Sequence, residues 1–178
     1  MCGICDIENK DKPIDLFTDE EIERIILAIY YGIISIDSLD LDAFLKVARK
    51  LFDGVQHVYG KTFFDSVGDT QDYNMLMALK ENVYVFSAAK QYQQVRQMSN
   101  LLTGPGKVRS FAEFKKEARV IFVEFNENYL KTEYNSAISQ ARTASQWQDI
   151  VKQQDQFPML TYHTVGDMRV RPTHAALD

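Results

Sequence analysis

Proline and glycine are scarce, at four and eight residues in a chain of 178. Two stretches, Gln71 to Leu102 and Ser110 to about Gln154, contain neither. Long segments without a helix breaker argue against a fold of many short turns. Cysteine is rarer still. Cys2 and Cys5 stand together near the N-terminus, and no other cysteine exists to build a disulfide framework with them, so a reducing compartment suits the chain. No apolar run is long enough for a bilayer. The longest, Ile25 to Ile36, is broken by Gly32 and Ser35 and follows an acidic flank, whereas a membrane span needs about 20 apolar residues. The first residues lack a basic segment leading into an apolar one, so no cleaved secretory signal is expected. A broad basic field is missing too. Residues 1 to 23 carry eight acids against two lysines, and the remaining 18 basic and 17 acidic residues nearly cancel. That balance argues against a domain-wide grip on nucleic acid.

What the chain does have is apolar mass, with 46% hydrophobic and 12% aromatic residues, enough to bury a core. Residues 1–17 are polar with Pro13 and no sustained period, and read as a flexible acidic arm. Thr18 followed by Asp19, Glu20 and Glu21 has the form of a capping box, and Ile22, Ile25, Ile26 and Ile29 then recur at helical spacing to about Gly32. A second helix is expected from about Asp40 to Tyr59, on the stripe Leu41, Phe44, Leu45, Ala48, Leu51, Phe52 and Val55. Residues 60 to 70 read as a connector.

The segment from Gln71 to Leu102 carries two successive stripes: Leu76, Leu79, Val83 and Phe86, then Val85, Ala88, Tyr92, Val95, Ser99 and Leu102. The spacing predicts one long helix, broken at Thr103-Gly104-Pro105-Gly106. Ser110 and Glu113 form a second capping box, followed by Phe111, Phe114, Ala118, Ile121 and Phe125, then Tyr134, Ala137, Ala141, Ala144 and Val151. The small alanines would let a neighbouring helix approach closely. The expected fold is mainly α: an elongated helical hairpin packed on a small N-terminal helical pair, spanning 18–157. Near Pro158 the pattern turns strand-like, and 158–178 reads as the start of a small α+β module, incomplete at this length.

The terminal run concentrates the chemistry. Gly166-Asp167 suits a turn, Arg169 and Arg171 would share one side of an extended segment, and Pro172 would open a helical turn carrying His174. The whole stretch, Thr164-Val165-Gly166-Asp167-Met168-Arg169-Val170-Arg171-Pro172-Thr173-His174-Ala175-Ala176-Leu177-Asp178, resembles the signature of the phage Mu F-like head morphogenesis family. There a strand leads to Asp-x-Arg-Val-Arg-Pro-x-His and then Leu-Asp-Gly. Leu130-x-Thr132-Glu133-Tyr134-Asn135 and the alanine-rich stretch to Trp147 are also similar to that family; residues 1 to about 120 share only helical character. The resemblance implies a minor head protein of the virion, made in a bacterial host cytoplasm or from a prophage. Its partners would be the portal and other head proteins, with packaged DNA a weaker one, and no membrane or cofactor is implied. Family members continue through a glycine and a segment rich in Pro and Cys, so a longer protein is expected beyond Asp178.

Three roles remain open for Asp167, Arg169, Arg171, Pro172, His174 and Asp178. One is an internal ion-pair network fixing an irregular loop. A second is a site for DNA phosphate or a portal carboxylate. A third is an enzyme, a nuclease or transferase with His174 as acid/base and the arginines stabilising a phosphoryl transition state; no nucleophile or metal set accompanies it. Cys2-x-x-Cys5 has the spacing of half a zinc site or a redox pair, yet no partner ligand lies near it in sequence. His57 reads as a helix-end residue. Tyr84, Tyr92 and Tyr129 are expected to pack in the core rather than to form a stacking platform. The long stripes allow either a monomer or a homo-oligomer paired through its helices.

Overall fold

The computed structural model describes residues 16–60, 71–104, 107–159 and 161. Helix α1 spans Asp19–Tyr30. Its start is set as the sequence predicts: the Thr18 backbone N–H donates to the Glu21 carboxylate at 2.8 Å, and the Glu21 N–H donates to Thr18 Oγ1 at 3.3 Å. Phe17 and Ile22 flank this cap and are both buried, a hydrophobic staple that fixes the entry angle of the chain. Phe17 was expected in the arm. It belongs to the core instead, with its ring edge-on to Phe122 at 5.2 Å. Ile22, Ile25, Ile26 and Ile29 form the buried face of α1, and Gly32 ends it at φ +73°, a conformation that costs glycine no steric clash.

Helix α2 spans Leu41–Tyr59. Asp40 caps it by accepting from the Asp42 and Ala43 N–H groups at 3.0 and 3.1 Å. The same carboxylate takes Arg24 of α1 at 2.8 Å, so one side chain ties the start of α2 to the middle of α1. Ala48, Leu51 and Val55 are fully buried along α2, whereas Leu41, expected on that stripe, is exposed. Gly60 closes the helix in the left-handed conformation.

Helix α3 runs Gln71–Asn100. Two short antiparallel strands, β1 Thr103–Gly104 and β2 Lys107–Val108, reverse the chain into α4, Phe111–Val123. A wide π-type turn, Glu124–Tyr129, then leads into α5, Leu130–Lys152. The expected helical hairpin is present, and the molecule is mainly α. Its arms are less paired with each other than expected. Each makes its largest contact with an N-terminal helix: α3 and α5 with α2, and α4 with α1. A single core results, holding Ile26, Leu51, Leu76, Met98, Phe114 and Leu130.

The wide turn has a physical cause. Phe114, Ala118, Phe122, Asn126 and Leu130 are all buried at four-residue steps. Each such step overshoots a regular helical face by about 40°, or about 160° over four. A turn closed by i→i+5 bonds absorbs about one residue and keeps α5 facing the bundle. The apolar pattern of the sequence gives no sign of it, because Asn126 occupies one of the buried positions.

Candidate functional site: a buried polar seam beside an open groove

The sequence-predicted motif residues Asp167, Arg169, Arg171, Pro172, His174 and Asp178, and the pair Cys2 and Cys5, lie outside the described residues. His57 sits in the last turn of α2, exposed to solvent, as a helix-end residue would. Tyr84 packs edge-on against Phe44 at 5.6 Å. Tyr92 and Tyr129 are exposed rather than core. No group of three metal-ligating side chains occurs among the described residues.

The chemistry within the bundle lies on a face that the sequence reading placed wrongly. Val85, Phe86 and Tyr92 were expected to face inward, yet Val85 is 63% and Phe86 53% exposed. The inward face of α3 instead carries Ser87, Lys90, Gln91 and Gln94, all buried, again at helical spacing. Hydropathy misreads this stripe because Gln91, Gln94 and Lys90 each face a polar group far away in sequence. Gln91 Nε2 donates to the Asp40 carbonyl at 2.7 Å. Asn126, brought inward by the wide turn, donates to Gln94 Oε1 at 3.2 Å and to the Phe122 carbonyl at 3.0 Å. Such buried polar groups cost stability unless paired, and the bundle pairs the amides of Gln91 and Asn126 while leaving Ser87 Oγ without a hydrogen bond.

Lys90 and Glu133 are the charged members. Their Nζ and Oε2 atoms lie 3.3 Å apart, with side chains 5% and 8% exposed. The contact is an ion pair whose geometry falls short of a hydrogen bond, since neither atom has a hydrogen-bond partner. Burial pushes the Glu133 carboxyl above its ordinary value, opposed by the Lys90 charge. It pushes Lys90 below its ordinary value, opposed by Glu133. In both groups desolvation outweighs attraction.

Ser87 and Lys90 have the i, i+3 spacing of a serine–lysine dyad. The two side chains are not joined as a dyad would be: neither Ser87 Oγ nor Lys90 Nζ hydrogen-bonds to the other. The cavity that both line, with Asp40, Gln91, Gln94 and Asn126, measures about 20 Å³, room for roughly one water molecule and not for a substrate.

On its outer side the seam borders a groove between α3 and α5. Ion pairs mark its ends, Lys90–Glu133 at one and Lys152–Asp72 at 3.7 Å at the other, which sets the two helices antiparallel. Two adjoining hollows of about 440 and 480 Å³ share Gln140 as a wall. Glu133, Ser136, Ala137, Thr143 and Ala144 line it from α5, ending at Trp147, and Glu81, Val85, Phe86 and Ala89 from α3. The groove is open to solvent, with one buried carboxylate, Glu133, at its wall.

The fold and site define a helical bundle with a polar interior seam and an open interhelical groove. Among known proteins, no family model, no curated sequence and no solved structure matches the chain.

Proposed function

We propose that the chain is part of a phage minor head protein, a structural component of head morphogenesis that contacts the portal vertex. The observation that carries this reading is the run Asp167-x-Arg169-Val170-Arg171-Pro172-x-His174 followed by Leu177-Asp178, with its resemblance to the Mu F-like signature. Extended helical faces and an acidic N-terminal segment are in keeping with a role in protein contact. The paired arginines suit a phosphate or carboxylate on a partner.

The test is co-purification with the portal protein encoded beside the chain's gene, using both the 178-residue chain and the longest natural form. Retention of the portal at moderate salt is expected. Failure of the longest form to retain it overturns the reading. Turnover of nucleic acid that is lost in His174→Ala while the fold persists would replace it with the enzymatic alternative centred on Arg169, Arg171 and His174.

A further inference from the structure

We infer that the groove between α3 and α5 is the docking site for one helix of a partner protein, apolar along one face and bearing a lysine or arginine that enters between Glu81 and Glu133. The inference rests on the groove alone and holds whatever assembly the chain serves.

Three properties specify that occupant. The rim exposes large apolar side chains, Val85 at 63%, Phe86 at 53% and Trp147 at 48%, and clustered exposure of this kind marks a contact surface. The floor contributed by α5 is made of small residues, Ser136, Ala137, Thr143 and Ala144, which let a helix backbone come close. From Glu133 to Trp147 the floor is about 21 Å long, or about four helical turns, the scale of a helix-in-groove contact.

Charge fixes the remaining feature. The residues lining the two hollows include two carboxylates, Glu81 and Glu133, and no lysine, arginine or histidine. Glu133 is 8% exposed, and its Oε2 accepts no hydrogen bond. Lys90 faces it from the cavity inside the bundle. A guest ammonium or guanidinium would pair with the exposed Glu81 carboxylate at the entrance and point toward the groove side of Glu133, whose Oε2 stays against Lys90. A second copy paired groove to groove about a two-fold axis would bring carboxylates against carboxylates, so a partner of opposite charge fits better.

The chain carries its own reporter, because Trp147 is its single tryptophan and lines the groove. The probe is a tryptophan-free amphipathic peptide of about four helical turns, with leucines along one face and one central arginine, titrated into the full chain. A saturable blue shift of Trp147 emission is expected, weakening as salt rises. Replacing the peptide's arginine with glutamate should weaken binding by about tenfold or more, and so should Phe86→Ala or Glu81→Lys in the protein. Both protein positions are exposed, so these variants should keep the helical circular dichroism and melting temperature of the parent. The absence of a shift, or equal affinity for the arginine and glutamate peptides, overturns the inference. Two results without peptide also overturn it. Emission that varies with protein concentration and ceases to do so in Phe86→Ala assigns the groove to a second copy. Emission that changes in Arg169→Glu with Arg171→Glu assigns it to the chain's own C-terminal segment.

Discussion

The ring of Tyr134 on α5 lies against the bare backbone of Gly54 on α2. A Cβ at Gly54 would stand 2.6 Å from Tyr134 Cε2 and 3.0 Å from its Cζ and hydroxyl oxygen. Gly54 is helical, so its value is space rather than backbone freedom, and it sets the separation of the two helices that share the largest interface of the bundle. Gly54→Ala gains helix propensity and loses that fit. The overlap should dominate and lower unfolding stability by about 1–3 kcal/mol, which thermal denaturation would register as a fall of several degrees. Combining it with Tyr134→Leu should recover part of the loss. An undiminished melting temperature in the single variant would show that the helices move apart freely.

The buried ion pair makes a second prediction, with a sign. Lys90→Met alone leaves the Glu133 carboxylate buried without its counter-charge and should cost about 3–5 kcal/mol, while Lys90→Met with Glu133→Leu should be much closer to the parent. Because burial raises the Glu133 carboxyl above its ordinary 4.5, the folded chain holds a proton there at pH values where the unfolded chain has released it. This group's contribution to stability therefore falls as pH rises from 4.5 to the folded-state pKa, and is constant above it. Urea unfolding in parallel on the parent and Glu133→Gln, across that interval, should show the parent losing ground relative to the variant. The opposite slope would mean that the Lys90 attraction outweighs burial.

The helices were readable from the sequence to different degrees. In α1, α2 and α4 the inward residues are apolar and the caps use Thr18, Asp40 and Ser110, so hydropathy and capping chemistry locate the elements closely. In α3 the helix was evident and its orientation was not. Val85, Phe86 and Tyr92 have the composition of a core face and lie outside, while Ser87, Lys90, Gln91 and Gln94 lie inside. A single sequence shows what a side chain prefers in water. It does not show that Asp40, Asn126 and Glu133, between 32 and 51 residues away for the hydrogen-bonded pairs, will meet its polar groups. The terminal motif is the converse case: Asp167, Arg169, Arg171 and His174 stand out by pattern, and they fall outside the described residues.

The wide turn supplies a third prediction. Deleting exposed Asn128 should allow the segment to close as regular α-helix while α5 keeps its inward face, since the turn already absorbs about one residue. Deleting exposed Ser139, in the regular part of α5, should rotate all that follows by about 100° and move Ala141 and Gln148 off the interface. Circular dichroism melts should show a modest change for the first deletion and a collapse of cooperativity for the second. Equal damage from both would mean that the turn is needed for more than keeping the face aligned.

Helix entry at α4 is testable by a single atom. Ser110 Oγ accepts from the Glu113 N–H at 3.4 Å and donates to its carboxylate at 2.7 Å, while the Ser110 N–H donates to the same carboxylate at 3.0 Å. Ser110→Ala should cost about 0.5–2 kcal/mol and Ser110→Asp substantially less. A chemical-denaturation midpoint unchanged in Ser110→Ala would show that the strand hairpin alone positions the helix.

An interface made only of leucines and isoleucines tolerates slippage, because one apolar contact replaces another when a helix slides by a turn. The inward face of α3 works as a vernier. Gln91 matches the Asp40 carbonyl, Gln94 the amide of Asn126, and Lys90 the carboxylate of Glu133, each at a different height along the axis and on a different neighbour. Because Gln91 and Gln94 are a turn apart, a shift of one turn in either direction can keep at most one glutamine match, and it parts Lys90 from Glu133 and leaves buried polar atoms facing hydrocarbon. The polar atoms that weaken the core in bulk thus give α3 a single longitudinal position, and with it a fixed placement for Phe86 and Glu81 on the opposite side.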